Sequence, residues 1–142
     1  MYRPMRTAPR CCGLGVLLLI ALLAVLGGCG DQPRLSLDDI DQVRLGQPGA
    51  GGMVLRPATA AEVERLVEYY AEAQGVADDF GTTHPAVAQV TLTSGDVLTI
   101  WGGGEEFQTV ALKGRQWNIR GSRLHRMMQQ VAAGELDAGA PR

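Results

Sequence analysis

The chain has 142 residues, a length typical of one domain, and its charge is distributed unevenly. Residues 1–28 contain three arginines and no acidic residue, whereas the remainder contains all fifteen acidic residues against ten basic ones. Such an acidic body excludes a nucleic-acid binder, because those proteins need a basic surface that neutralises phosphates. It also excludes docking on anionic lipid by charge alone.

The first 28 residues have the order of an export signal. Arg3, Arg6 and Arg10 are followed by an uninterrupted apolar run over residues 16–26 and then by small residues. At 1.5 Å per residue, this run would span roughly 16 Å as a helix, about half of what a membrane-spanning helix must cross. The pattern therefore predicts a signal peptide, not a spanning anchor.

The end of this segment is more specific. Leu26-Gly27-Gly28-Cys29 resembles the lipobox of bacterial lipoproteins, a Leu and two small residues before an obligatory Cys. The resemblance implies cleavage between Gly28 and Cys29 and a lipid anchor on the Cys29 thiol. It thus implies a protein held by lipid on the extracytoplasmic side of a membrane in the cell envelope. The alternative is an ordinary secretory signal with a chance cysteine.

Three segments follow the predicted signal peptide. Residues 29–37 contain Gly, Pro and polar residues without a period, and we expect them to form a lipidated tether. Residues 38–133 hold the apolar periodicities of a folded α+β domain. Residues 134–142 are expected to be a flexible tail.

The domain begins with a predicted strand pair and a helix. A strand over 40–45 is followed by a glycine-rich loop over 46–52 and a second short strand. Thr59 and Glu62 have the spacing of a capping box, and apolar residues at helical spacing follow them. Gly75 is predicted to end that helix.

From Pro85 onward the apolar period changes to two, which predicts four strands joined by short turns. Ser122 is then predicted to cap a closing helix. The predicted fold is α+β: a four-stranded antiparallel meander plus the N-terminal strand pair, with two helices packed on one face. This order of elements resembles small uncharacterised lipoprotein domains of bacteria.

Common catalytic motifs are missing from the sequence. The glycine-rich stretches lack the residues of a P-loop or a dinucleotide fingerprint, and no Gly-x-Ser-x-Gly elbow occurs. The carboxylate groups lie in or beside predicted loops, where water screens them: Asp38/Asp39/Asp41, Asp78/Asp79 and Glu105/Glu106. We therefore expect neither an enzyme nor a cofactor.

One predicted surface favours binding. If the apolar residues of the strands face the helices, alternation places Thr99, Trp101, Asn118 and Arg120 on the other face of the sheet. Trp is frequent at interfaces, and hydroxyl and amide groups suit peptides or sugars. These residues predict a non-enzymatic interaction module that binds an envelope protein or a cell-wall component. A plain solvated face rich in Thr is the alternative.

A small-ligand or metal-ion sensor or carrier is the second hypothesis for function. Asp78, Asp79 and His84 share one polar loop, which could bind a cation loosely. A zinc site requires three or four ligands, and the chain has only two histidines, so we assign no metal site. His125 is predicted to lie on the solvent side of the closing helix.

Overall fold

The computed structural model describes residues 32–77, 84–104 and 106–136. These residues form two helices and a seven-stranded antiparallel sheet, so the predicted α+β class is confirmed. Gly28 and Cys29 lie outside the described residues, as do Asp78, Asp79, Glu105 and residues 137–142 of the predicted tail. None of the described helices has the length and apolar character needed to cross a membrane.

The sheet has the spatial order β2-β1-β4-β5-β6-β7-β3, and every neighbouring pair is antiparallel. Its strands are β1 (Ile40–Gly49), β2 (Gly52–Pro57), β3 (Gln74–Val76), β4 (Ala86–Leu92), β5 (Val97–Trp101), β6 (Phe107–Leu112) and β7 (Arg115–Arg120). The helices are α1 (Ala60–Glu72) and α2 (Ser122–Ala133), and a short 3-10 turn covers Leu37–Asp39. Lys113 and Gly114 both have positive φ, as the two-residue turn between β6 and β7 requires.

The glycine-rich stretch after the first predicted strand is itself largely strand. β1 and β2 remain paired as far as Gly49 and Gly52, so the predicted loop over 46–52 is wrong. A side chain at Gly46 would place its Cβ 2.6 Å from Met53 Sδ. A larger residue would thus require the Met53 side chain to move, and the sequence alone does not distinguish such a strand glycine from one in a loop.

The predicted capping box at the start of α1 is confirmed. The Thr59 hydroxyl accepts from the Glu62 N–H at 3.3 Å, and the Thr59 N–H donates to the Glu62 carboxylate at 2.7 Å. The predicted end of the helix is wrong, because α1 ends at Glu72 and Gly75 lies in β3 opposite Ile119. Pairing with a distant strand thus decides the structure around Gly75.

The closing helix begins one residue earlier than the predicted cap allows. Gly121 is its N-cap and supplies no side-chain cap, and Ser122 is the first helical residue. A Cβ at Gly121 would lie 3.0 Å from the Cβ of Ala73, just beyond the end of α1. Close approach of the two helices therefore selects glycine at this position. Gly134, with φ of 71°, ends the helix in the left-handed conformation.

A single cluster of buried apolar side chains joins the helices and the sheet within the described residues. Its members include Val43, Leu45, Val90, Leu98, Ile100, Val110 and Ile119 from the strands, and Leu66, Tyr70, Leu124, Met127, Met128 and Val131 from the helices. Leu35 also belongs to this cluster, and the Gln32 side chain donates to the carbonyl of Ala73 at 3.0 Å. Residues of the predicted tether therefore contact the folded body.

Candidate functional site

The register of the sheet brings the four predicted binding residues onto one face. Trp101 of β5 lies opposite Thr109 of β6, which lies opposite Asn118 of β7. Thr99 and Arg120 are each two residues from a member of this row, and alternate residues of a strand share a face. We call the surface formed by these five residues the outer face.

Internal contacts restrain the outer face. The Thr109 hydroxyl donates to Asn118 Oδ1 at 2.8 Å. The Arg120 guanidinium lies 5.2 Å from the centre of the Phe107 ring, and its Nε is 3.6 Å from the Glu106 carboxylate. Trp101 is half-buried and Arg120 is exposed, so an aromatic ring and a cation are both accessible. Thr109 is buried at 7% exposure, so this face offers the Trp101 ring and the Asn118 and Arg120 side chains at fixed positions.

A cavity of about 140 Å³ lies at a second location, which the sequence reasoning missed. Val87 of β4, Gln108 of β6, and His125 and Met128 of α2 contribute to its lining. We call it the α2 cavity. His84 also belongs to the lining and is exposed, so the cavity communicates with solvent.

A hydrogen bond between Gln108 and His125 forms part of the cavity wall. The Gln108 side chain is 1% exposed, and its Nε2 lies 2.7 Å from His125 Nδ1. Because an amide nitrogen only donates, Nδ1 accepts, and a neutral His125 carries its proton on Nε2. Burial lowers the pKa of His125, and the charge of Glu106 partly opposes this. The prediction of a solvent-exposed His125 is therefore wrong, since the side chain is half-buried.

The other polar atom of the Gln108 amide is unsatisfied. Gln108 Oε1 is buried and has no hydrogen-bond partner among the described residues. A sequence signal for this site existed, because alternation from Val110 places residue 108 on the inward face of β6. A polar residue at an inward position, opposite the buried Ile119, marks a place where the core is interrupted.

Glu62 occupies a second buried polar site, beside the start of α1. Its carboxylate accepts from Arg56 Nη1 at 2.9 Å and Arg56 Nη2 at 2.6 Å, in addition to the Thr59 N–H. The hydrogen bonds from Arg56 lower the pKa of Glu62, although burial acts in the opposite direction. This carboxylate has several donors and lies apart from the α2 cavity lining, so its contacts are structural.

No group of three or more His, Cys, Asp or Glu side chains in the described ranges could hold a metal ion. His84 is described, but Asp78 and Asp79 of the same loop are outside those ranges. Comparison with known protein families, with curated proteins and with solved structures finds no match to this chain. Function is therefore inferred from the geometry of the outer face and of the α2 cavity.

Proposed function

We propose that this protein is a lipid-anchored bacterial lipoprotein of the cell envelope whose outer face binds an envelope protein or a cell-wall component without catalysis. The anchor is proposed on Cys29, from the lipobox-like Leu26-Gly27-Gly28-Cys29. The observation that carries the binding proposal is the register of Trp101, Thr109 and Asn118. It places the ring of Trp101 and the amide of Asn118 on either side of Thr109, whose buried hydroxyl donates to Asn118.

We also propose that β4 to β7 form a meander platform that both helices cover on one side, leaving the outer face to the partner. Support comes from the core cluster, which joins Leu98 and Ile100 of β5 to buried residues of both helices. Thr99 and Trp101 alternate with these residues along β5 and are only half-buried. Such a two-sided pattern is usual for an antiparallel sheet covered on one side.

The contacts within the outer face favour a partner with a flat surface and its own hydrogen-bonding groups. Tryptophan offers a large rigid apolar area, to which peptides and sugar rings are both complementary. Arg120 is already restrained by Phe107 and Glu106. Ordering it on binding therefore costs less conformational entropy than ordering an unrestrained arginine.

In-cell photocrosslinking of the full-length chain tests the binding surface. A photoreactive residue replaces Thr99 in one variant and Glu64, an exposed residue of α1, in the control. We expect a discrete adduct from position 99 and none from position 64. Identical adducts from both positions, or none from either, would overturn the proposal.

Two tryptophan variants separate binding from stability. We expect Trp101→Ala to reduce the adduct from position 99 at least fivefold while destabilising the protein by about 1 kcal/mol or less, as for a cross-strand pair. Trp117→Ala is the matched control, because Trp117 packs against the core and its removal should destabilise more. Equal losses of stability in urea unfolding would place Trp101 in the core and contradict its proposed role.

Cysteine variants test the anchor. We expect Cys29→Ser to lose incorporation of an alkyne-labelled fatty acid and to leave the membrane fraction. Cys12→Ser, within the predicted signal peptide, should retain both the label and the membrane association. Labelling of the Cys29→Ser protein would show that a lipid is attached at another residue and would contradict the proposed anchor.

A further inference from the structure

The segment before β1 is fixed to the folded body from Gln32 onward. The Gln32 side chain donates to the carbonyl of Ala73 at 3.0 Å, at the end of α1, where helix carbonyls lack partners within the helix. Three residues later, Leu35 is 9% exposed and belongs to the core cluster. Both ends of this short stretch are therefore held by the body.

Few residues separate Gln32 from the proposed anchor. Only Gly30 and Asp31 lie between Cys29 and Gln32 in the sequence. Three residue steps span at most about 11 Å when the chain is fully extended, whereas eight would allow about 28 Å. A lipid on Cys29 would therefore keep Gln32 close to the bilayer surface, together with the residues that it contacts.

The residues beside Gln32 form one exposed end of the fold. A Cβ at Gly75 would lie 3.8 Å from Gln32 Oε1, so β3 runs next to this side chain. Gln74 and Gly75 are exposed, and Gln74 pairs with Arg120 of β7. We call the surface formed by Gln32, Gln74 and Gly75 the Gln32 end.

The charge next to this end suits lipid headgroups. Arg34 is exposed, and no carboxylate of the described residues lies within ion-pair distance of its guanidinium. Arg120 and Arg123, in contrast, are paired with glutamates. A cation without an acidic neighbour is attracted to the anionic headgroups of a nearby bilayer.

We propose that the Gln32 end faces the bilayer surface, and that the margin of the sheet formed by β1 and β2 points away from it. This orientation rests on the proposed lipid anchor at Cys29. It adds to that anchor which end of the fold meets the membrane. Because Gln74 pairs with Arg120, a partner bound to the outer face would reach Arg120 at the membrane surface.

Fluorescence quenching tests the orientation in the lipid-bearing protein isolated from bacterial membranes. The protein is placed in vesicles of phosphatidylethanolamine and phosphatidylglycerol that contain a lipid with a nitroxide headgroup. The proposed processing removes Cys11 and Cys12 and uses Cys29, so one introduced cysteine carries the fluorophore. Gln74→Cys reports on the Gln32 end.

Gln42→Cys is the matched control. Gln42 is also an exposed glutamine of a strand, and its strand β1 is five strand spacings from β3 in the sheet. We expect quenching about threefold stronger at position 74 than at position 42, because the two strands are about 24 Å apart.

A spacer tests the short connection between the anchor and the body. Eight Gly and Ser residues inserted between Asp31 and Gln32 keep the bond to Ala73 and add a typical reach of roughly 15 Å. We expect quenching at position 74 to fall to the level at position 42, with no change in urea unfolding. The same eight residues added after Arg142 are the control and should leave the quenching unchanged.

Fatty-acid labelling distinguishes failure of the orientation from failure of the anchor. Equal quenching at positions 74 and 42 of a labelled protein would overturn the orientation and leave the anchor intact. Strong quenching at position 74 that survives the spacer would do the same, since the body would then approach the bilayer by another route. Absence of the label from a protein with an unchanged Cys29 would overturn both proposals.

Discussion

Glu62 and Gln108 are both polar side chains buried in the fold, and they differ in how completely they are hydrogen-bonded. Glu62 accepts from Arg56 and from the Thr59 N–H, and it lies beside a helix start that these bonds hold in place. Gln108 has one bond, to His125, and one polar atom without a partner among the described residues. A buried polar group with all its partners rigidifies the structure around it, whereas a missing partner makes the burial of the group energetically costly.

The largest effect on stability is expected at Glu62, whose carboxylate accepts several hydrogen bonds. Arg56→Ala leaves the buried Glu62 carboxylate without its paired cation, and we expect a loss of about 3 kcal/mol in the free energy of unfolding at pH 7. Arg44→Ala is the control, because Arg44 is exposed and donates to a carbonyl oxygen, that of Leu55, and to no carboxylate among the described residues. Urea unfolding measures both. Losses of similar size would mean that the Arg56–Glu62 pair is not a buried structural contact.

A smaller effect on stability is expected at Gln108, whose amide has one hydrogen bond and one atom without a partner among the described residues. Gln108→Leu removes an unpaired acceptor from the interior and replaces it with an apolar side chain of similar size. Loss of the bond to His125 destabilises the folded protein, whereas removal of the unpaired acceptor stabilises it. Because the two effects oppose each other, the free energy of unfolding should change by less than about 1 kcal/mol. The same urea measurement checks this. A loss as large as that of Arg56→Ala would show that Gln108 is a structural residue like Glu62.

The smallest effect is a pH dependence at His125. Burial holds its pKa below the ordinary 6.5, so the unfolded chain takes up a proton at a higher pH than the folded protein does. Stability should therefore be constant above this range and fall as the pH drops through about 6.5 towards the folded pKa. Glu62 and Asp96, whose pKa values are lowered from 4.5 and 3.8, contribute losses only at lower pH.

Melting temperatures between pH 8 and pH 5 measure this dependence. His125→Asn should abolish the loss near pH 6.5, whereas His84→Asn should retain it because His84 is exposed and makes no bond to Gln108. A slope that persists in His125→Asn would assign the titration to another group.

Local signals in the sequence were sufficient for several elements of the fold. The Thr59–Glu62 spacing gives the start of α1, because a capping box involves only neighbours along the chain. The turn at Lys113 and Gly114 and the alternation along β5 are equally local. Two glycines were predicted wrongly. Gly75 pairs with Ile119 of a strand that is distant along the chain, whereas Gly46 pairs with Leu55 in a hairpin whose length the glycine-rich sequence does not show.

The outer face and the α2 cavity also differ in whether local sequence patterns predict them. The outer face follows from alternation within strands, so Thr99, Trp101, Asn118 and Arg120 could be chosen before the fold was known. The α2 cavity depends on a contact between Gln108 and His125, seventeen residues apart in the chain. Only the packing of α2 on the sheet brings these two side chains together, and no spacing rule in the sequence describes it.

The short strand β3 has a consequence for how other molecules can approach. It covers β7 from Asn118 to Arg120 with only three residues, and β2 closes the opposite side of the sheet with Pro57, which has no N–H to donate. The three-residue edge at β3 therefore gives an incoming strand few backbone groups to pair with, which is a common protection against edge-to-edge aggregation. A partner gains more by lying across the strands, where side chains make the contact, than by extending the ladder.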